Sequence, residues 1–209
     1  MKNISLLILL ALCCTGVFGQ KNPDKDAWML QPIIKLDDYN PVLEADAKAE
    51  FFCPVRKQKV RWEEKDVFNP AVVAKDGWVW MLYRAEDVVG KYAGTSRIGL
   101  AKSRDGLQFR RTQIPVLYPD NDSLQVFEWE GGCEDPRVVR RDDSTFVMTY
   151  TAYDGKTARL CVASSRDLVT WQKHGLAFQQ AQYRDLWSKS GAIVCEQAGS
   201  NITAKKIKG

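Results

Sequence analysis

Apolar and polar positions alternate in short runs along most of the chain, and the runs recur as two aligned copies. Trp78–Ala85 (WVWMLYRA) aligns with Phe146–Ala152 (FVMTYTA), and Arg97–Phe109 (RIGLAKSRDGLQF) aligns with Ala158–Trp171 (ARLCVASSRDLVTW). Runs of this length, separated by polar turns, are typical of β-strands. Each copy therefore predicts a unit of four short strands.

The two copies open at Asn69-Pro70 and at Asp135-Pro136. A four-stranded unit cannot bury its apolar faces alone, so neighbouring units must stack. Four-stranded units at this period are typical of a β-propeller. We therefore predict an all-β propeller fold, with blades at about 68–115 and 134–175 and a third blade that starts at 189.

The same pattern predicts the domain organisation. We assign 1–19 to a signal peptide, 20–67 to a leader and closing strand, and 68–209 to a partial propeller domain. The chain ends within the third blade, so about two and a half blades are expected. We interpret this as a fragment of a longer protein.

The first residues predict export. Lys2 precedes the apolar run Ile4–Leu12, which is too short to span a bilayer, and Gly19 provides the small residue for cleavage. A secreted or periplasmic protein is expected. A lipoprotein attached through Cys13 or Cys14 is the weaker alternative, because no small residue stands directly before either cysteine. No other segment is apolar enough to span a membrane.

Composition excludes several classes of function. The net charge is only +4, and the basic residues are scattered, which argues against a nucleic-acid partner. The single histidine, His174, and the absence of a CxxC spacing argue against zinc, and no cofactor is predicted. His174 falls in an outer-strand turn, which also disfavours serine or cysteine nucleophilic catalysis. Disulfide pairing among Cys53, Cys133, Cys161 and Cys195 is left open. Cys161 lies in an apolar strand and is predicted to be a buried thiol.

The strongest chemical signal is Glu134-Asp135-Pro136-Arg137. The proline fixes the backbone where the inner strand begins, so both acids are expected at one mouth of the central channel. Adjacent carboxylates raise one another's pKa, and a nearby arginine keeps one of them ionised. This arrangement suits a general acid for glycoside cleavage. The alternative is an Asp-Pro turn with a surface salt bridge.

Other residues are candidates for ligand contact. Asn69 is the positional twin of Asp135 and either bonds a ligand hydroxyl or closes an Asx turn before Pro70. Arg84 and Arg97 flank a hairpin of the first copy, where each is a candidate for sugar or anion binding or an ordinary strand-end arginine.

The long connection 116–132 carries further candidates. Trp129 and Tyr118 are predicted to stack on a sugar face, because a long aromatic loop between blades is usually functional. Glu128 and Glu130 also lie there. Both precede the strand of Asp135, so we expect them on its side of the site.

Five segments together resemble glycoside hydrolase family 130, over roughly Tyr39 to the end of the chain. They are Phe68-Asn69-Pro70, Tyr83-Arg84-Ala85, Ser96-Arg97-Ile98-Gly99-Leu100-Ala101, Gly132-Cys133-Glu134-Asp135-Pro136-Arg137 and Lys189-Ser190-Gly191-Ala192. That family contains β-mannoside phosphorylases and β-1,2-mannosidases on a five-bladed propeller. The resemblance covers about the first half of a family member.

The resemblance implies roles for individual residues. The proton-donating aspartate of the family matches Asp135, and its sugar contacts match Asn69, Arg84, Arg97 and Arg137. We add Glu134 and Lys189 as candidate substrate-binding residues. The water-activating glutamates of the hydrolases, and the phosphate-binding basic residues of the phosphorylases, lie further along the chain. We therefore expect the 209 residues alone to bind sugar weakly and not to turn over mannosides.

Export decides between the activities that the resemblance allows. Phosphorolysis returns a sugar phosphate, which is useful inside a cell, so an exported enzyme is better suited to hydrolysis. We predict an inverting β-mannosidase for β-1,2-linked mannose in an oligosaccharide or glycan. A phosphorylase and an inactive sugar-binding propeller remain alternatives. Arabinan- and fructan-cleaving propellers are disfavoured, because they usually have an aspartate where this chain has Asn69.

Overall fold

The structure is a computed structural model that describes residues 34–141, 144–198 and 201–207. The predicted signal peptide at 1–19 and the first part of the predicted leader lie outside the described residues. From Asp37 onward, the described residues belong to one compact unit. Within the described ranges, no helix is long and apolar enough to cross a membrane.

Strands make up most of the regular secondary structure of this unit, and two short helices lie between them. The strands are β1 (Glu50–Cys53), β2 (Gln58–Arg61), β3 (Asp66–Lys75), β4 (Trp78–Glu86), β5 (Ser96–Ser103), β6 (Arg110–Arg111), β7 (Gly132–Arg140), β8 (Phe146–Tyr153), β9 (Ala158–Ser165), β10 (Gln172–Leu176), β11 (Cys195–Ala198) and β12 (Asn201–Ala204). The helices are α1 (Gln125–Glu128) and α2 (Ala181–Arg184).

The two sequence copies form two four-stranded antiparallel blades. Strands β3 to β6 pair in chain order in blade 1, and β7 to β10 do so in blade 2. The predicted all-β fold of the five-bladed propeller type is confirmed, with the ring incomplete in this chain. The segments that alternate apolar and polar residues are strands, because alternate side chains point to opposite faces of a sheet.

The blades meet around a shared apolar core. It includes Leu82 and Ile98 of blade 1 and Phe146, Met148 and Tyr150 of blade 2, all of them at most 1% exposed. A single parallel pairing, Ser96 with Gly132, joins the two ladders next to the mouth. This contact fixes the start of β7 against the end of blade 1.

The opening residues of the two copies share an irregular backbone. The register of β3 shifts between Phe68 and Ala71, and that of β7 shifts between Glu134 and Arg137. Within these bulges Asn69 has φ 48° and Asp135 has φ 49°. A bulge re-aims a side chain out of the ladder. Asn69 and Asp135 are therefore turned in the same manner in both blades.

The strands described for the third blade begin later than the sequence predicts. The blade was expected to start at 189, but the strands after that residue are β11 and β12, which form a hairpin. Ser190 has φ 56°, and Thr149 Oγ1 donates to the Gly191 carbonyl oxygen at 2.6 Å. The segment before β11 is thus held by a side chain of blade 2 rather than by a ladder.

The segment before blade 1 forms a separate hairpin of β1 and β2. Phe51, Val60 and Trp62 are buried against Tyr83 of blade 1. Glu63, which is fully buried, accepts from Tyr83 Oη at 2.9 Å and pairs with Arg111 at 3.0 Å. The hairpin therefore covers one face of blade 1 without joining its ladder.

All four cysteines in the described residues are free thiols. The predicted burial of Cys161 is confirmed, because its exposed fraction is 0%. Burial raises the pKa of the Cys161 thiol to about 12. A thiol that stays protonated at neutral pH is a poor nucleophile.

Candidate active site

Asp135 and Glu134 form an acid pair at the mouth between the blades. Each residue is 5% exposed. Asn69 Nδ2 donates to Asp135 Oδ1 at 2.8 Å across the two blades. The structure therefore brings together the two positions that the repeat had aligned.

Arg84 contacts both members of the acid pair. Its Nη1 lies 3.2 Å from Asp135 Oδ1, and its Nη2 lies 3.1 Å from Glu134 Oε1. Nη2 also pairs with Glu86, and Nε donates to Ser96 Oγ at 3.0 Å. The guanidinium is thus fixed in one orientation, since a planar fork held by several acceptors has little freedom.

Lys189 provides the second cation. Its Nζ lies 3.5 Å from Glu134 Oε2 and 3.4 Å from Asp135 Oδ2. The lysine comes from the segment between blade 2 and β11, and 43% of its side chain is exposed. Lys189 therefore lies between the acid pair and solvent, and it is more easily displaced than Arg84.

The pKa values of the two acids are shifted in opposite directions. Burial acts to raise the pKa of Asp135, but the hydrogen bond from Asn69 and the charges of Arg84 and Lys189 outweigh it and lower the pKa. For Glu134, burial raises the pKa, and Arg84 and Lys189 only partly offset it. Paired acids whose environments separate their pKa values are typical of acid–base sites.

Arg97 lies away from this cluster. It is fully buried and donates to Asp87 Oδ2 at 2.7 Å and to the Thr95 carbonyl oxygen at 3.0 Å. In the antiparallel register, Arg84 pairs with Ile98 while Arg97 pairs with Ala85. The two arginines therefore project from opposite faces of the sheet, and Arg97 does not reach the mouth where a sugar contact was expected.

The remaining sequence candidates have other partners. Arg137 Nη1 donates to the carbonyl oxygen of its neighbour Pro136 at 2.9 Å, and no described contact joins it to the acid pair. Trp129 packs under the Arg56 guanidinium at 4.8 Å, and Tyr118 packs on Phe51 with ring centroids 5.3 Å apart. Both aromatic residues predicted to stack on sugar are thus occupied by packing.

The acids of the long connection are also occupied. Glu128 is fully buried and accepts hydrogen bonds from Tyr150 Oη at 2.8 Å and Lys173 Nζ at 2.5 Å. Glu130 accepts from Arg56 at 2.5 Å. These contacts anchor the connection to its neighbours, so neither Glu128 nor Glu130 joins the acid pair.

A cavity of about 260 Å³ lies beside the acid pair, and two aromatic residues that line it were missed by sequence analysis. It is lined by Arg84, Glu134, Tyr153, Ala158, Trp187 and Lys189. Tyr153 ends a strand of the second copy, and Trp187 lies in the linker before Lys189. The proximity of Trp187 to Lys189 in the sequence was the one available signal. Among the described residues, no cluster of three or more metal-ligating side chains is present.

Two adjacent carboxyl groups contacted by an arginine and a lysine, at the mouth of a propeller-type sheet, suit acid catalysis of glycoside cleavage. The chain belongs to glycoside hydrolase family 130, whose family model, described as beta-1,4-mannooligosaccharide phosphorylase, matches residues 42–207. The predicted family resemblance is thereby confirmed. The family acts on β-mannosides.

Three relatives illustrate the similarity. A curated 1,2-beta-oligomannan phosphorylase from Thermoanaerobacter sp. (strain X514) is 34% identical over 59% of this chain and 42% of the relative. A glycosyl hydrolase structure from Bacteroides ovatus is 42% identical, with a TM-score of 0.82 over 88% of this chain and 52% of that chain. A third solved structure is 44% identical, with a TM-score of 0.78 over 82% of this chain and 49% of that chain.

The third structure is described with the words "The GH130 family of mannoside phosphorylases contains glycoside hydrolases that target beta-1,2 mannosidic linkages in Candida mannan". The chain spans about half the length of these relatives.

Proposed function

We propose that this protein cleaves β-mannosides, with β-1,2-linked mannose as the sugar, and that Asp135 is the proton donor. The observation that carries the proposal is the setting of Asp135. Its side chain leaves the ladder at a bulge, has φ 49°, and meets Asn69, Arg84 and Lys189 at the mouth of the cavity. Unusual backbone conformations of this kind cluster at active sites.

In the proposed step, the protonated Asp135 carboxyl gives its proton to the glycosidic oxygen, directly or through a substrate hydroxyl. The bond between the anomeric carbon and that oxygen breaks as an oxygen of water or phosphate attacks from the opposite face. An inverting hydrolase places its base about 6.5–9.5 Å from the acid, across the bond. Glu134 shares the cations of Asp135, so it lies on the acid's side and does not fit that base.

The protonation state of Asp135 follows from its contacts. Because its pKa is lowered, the free site holds a carboxylate at neutral pH. A sugar hydroxyl that displaces Asn69 or Lys189 would remove a contact that favours the charged form and would raise the pKa. We infer that substrate binding itself creates the acid. A general acid works best when its pKa lies near the operating pH.

We propose hydrolysis rather than phosphorolysis as the reaction. The apolar leader supports an exported protein, for which a sugar phosphate is a less useful product. The 44% identical structure is described in terms of hydrolases, which adds to the case.

Phosphorolysis is the second candidate. The 34% identical curated relative is a phosphorylase, and the matching family model carries a phosphorylase description.

The test is to incubate a form of the protein that carries the complete propeller ring with β-1,2-mannobiose, in the presence and absence of inorganic phosphate, and to analyse the sugars. Hydrolysis gives mannose at a rate independent of phosphate. Formation of mannose 1-phosphate only when phosphate is present would establish the phosphorylase instead. Failure to cleave any β-mannoside under both conditions would contradict catalysis and favour a sugar-binding role.

Export is a separate part of the proposal. It rests on Lys2, the apolar run Ile4–Leu12 and the small residue Gly19. N-terminal sequencing of the protein recovered from a bacterial periplasm or medium would show Gln20 as the first residue. Recovery of an unprocessed chain from the cytoplasm would contradict it.

A further inference from the structure

Three aromatic side chains form a strip along the mouth. Tyr92 lies next to Tyr153 with ring centroids 6.2 Å apart, and Tyr153 lies next to Trp187 at the same 6.2 Å. The rings are tilted at 45° and 51°. Trp187 is 64% exposed, so one face of its indole remains open to a ligand.

Two members of the strip form one wall of the cavity next to the acid pair. Tyr153 and Trp187 line it together with Arg84, Glu134 and Lys189. One wall is therefore apolar and flat, and the other carries charged hydrogen-bonding groups. A pyranose ring matches both, because its axial C–H groups form an apolar face and its hydroxyls project from the edge. Binding cavities typically combine an apolar lining with a few oriented polar groups.

Hydrogen bonds at the base of the hairpin that carries Tyr92 hold one end of the strip in place. Tyr92 is on the hairpin between β4 and β5, whose base is closed by Asp87. Asp87 accepts from Arg97, from Thr95 N at 2.8 Å and from Val89 N at 3.2 Å. Arg97, which the sequence placed in contact with sugar, thus acts as a positioning residue for the hairpin that carries Tyr92.

Blade 2 has an equivalent Asp–Arg pair near Trp187. Arg159 donates to Asp154 Oδ2 at 2.7 Å, to Asp185 Oδ1 at 3.1 Å and to the Arg184 carbonyl oxygen at 3.1 Å. These bonds fix the linker just before Trp187.

Close packing also holds the Tyr92 end of the strip. A Cβ at Gly155 would lie 2.1 Å from the Tyr92 ring, so the ring reaches its position only because glycine stands beneath it. Both ends of the strip are therefore anchored by the second copy.

We propose that this strip, Tyr92, Tyr153 and Trp187, binds the ring face of a second sugar next to the one presented to Asp135, so that the site recognises at least a disaccharide. The inference rests on the proposed function. Trp187 is the main contact, because its indole face is open and it lines the same cavity as Lys189 at the end of the strip.

The test compares two ligands on one protein. Saturation-transfer NMR and calorimetry would measure binding of β-1,2-mannobiose and of mannose to the chain and to Trp187→Ala. The disaccharide is expected to bind about tenfold more weakly to the variant, the scale of one lost aromatic contact, while mannose binding is unchanged. Trp187→Phe should restore most of the affinity, and circular dichroism would confirm folding of each variant.

Phe52→Ala is the matched control, because Phe52 is an exposed aromatic residue of the β1–β2 hairpin. It should change neither affinity. Equal disaccharide affinities for the wild-type chain and Trp187→Ala would overturn the strip and leave the proposed function intact. Absence of any β-mannoside binding by the wild-type chain would overturn both. Equal weakening of mannose and mannobiose would also overturn the second-sugar assignment.

Discussion

Asn69 donates its side-chain hydrogen bond to Asp135 at 2.8 Å, although 66 residues separate them in the chain. The two residues have φ values of 48° and 49°, and each precedes a proline in a bulged inner strand. The same position of the repeat is thus an amide in one blade and a carboxylate in the next. Ser190, with φ 56°, occupies the corresponding backbone conformation ahead of the third blade.

In a form of the protein that carries the complete propeller ring, Asp135→Asn is expected to lower kcat for β-1,2-mannobiose by about 10²–10⁴-fold, because it removes the acid and keeps the side-chain shape. Steady-state kinetics would measure the loss. Glu134→Gln is the comparison, since its carboxylate contacts the same cations. A larger loss in Glu134→Gln than in Asp135→Asn would transfer the proton-donor role to Glu134, whose raised pKa makes it the more readily protonated acid.

Lys189→Met should raise the pKa of Asp135. Burial already acts upward, and the variant removes one of the groups that outweigh it. Carbon-detected NMR of the labelled carboxyl would follow the titration, with exposed Lys59→Met as the control. An unchanged Asp135 titration in Lys189→Met would show that the ion pair is not formed in solution.

The same contact predicts how stability depends on pH. A carboxyl whose folded pKa is lowered stabilises the fold above its unfolded pKa, about 3.9 for aspartate, and this stabilisation is lost as pH falls through the folded value. In Lys189→Met, the free energy of unfolding should therefore change less between neutral and acidic pH than it does in the wild type. Urea unfolding at both pH values measures it, and an identical pH dependence would contradict the prediction.

Arg97→Met should destabilise the fold by about 3–5 kcal/mol, because it leaves Asp87 as an unpaired buried charge. Urea unfolding would measure the loss, and exposed Arg61→Met should stay within about 0.5 kcal/mol of the wild type. If Arg97→Met kept full stability but bound sugar poorly, the direct sugar contact predicted from the sequence would be correct after all.

Each blade has a Ser-Arg-Asp turn, at 103–105 in blade 1 and at 165–167 in blade 2, and a different residue follows it in each blade. Gly106 has φ 76° in blade 1, and the fully buried Leu168 has φ 69° in blade 2. Leu168→Gly relieves about 1–2 kcal/mol of left-handed strain but loses about 2–5 kcal/mol of packing, so a net loss of stability is expected.

Gly106→Ala is the matched variant. It should cost about 1–2 kcal/mol, because no atom lies within 4 Å of the added Cβ to offset the strain. Thermal and urea unfolding would compare both. A stabilised Leu168→Gly variant would show that strain outweighs packing at this turn.

The repeat made the blades and the pairing of Asn69 with Asp135 predictable, because aligned copies place equivalent residues at equivalent points of the ring. The face of each arginine was not predictable in the same way. Arg84 and Arg97 are the same residue type on paired strands, and a register difference of one position sends them to opposite faces. Tyr92 and Trp187 lie in connections outside the aligned copies, so the pattern carried no information about their meeting at Tyr153.

The Asp–Arg pairs at the two hairpins have a consequence for how this site can change. Asp87 and Arg97 are ten residues apart, whereas Asp154 and Arg159 are five apart, yet each pair closes its hairpin at the base. The loop between the two members of each pair can therefore change in length without altering the strands that the pair joins. Insertions or deletions between Asp87 and Arg97 would lengthen or shorten the reach of the rim over bound glycans without moving Asp135, so chain-length preference and chemistry can diverge separately.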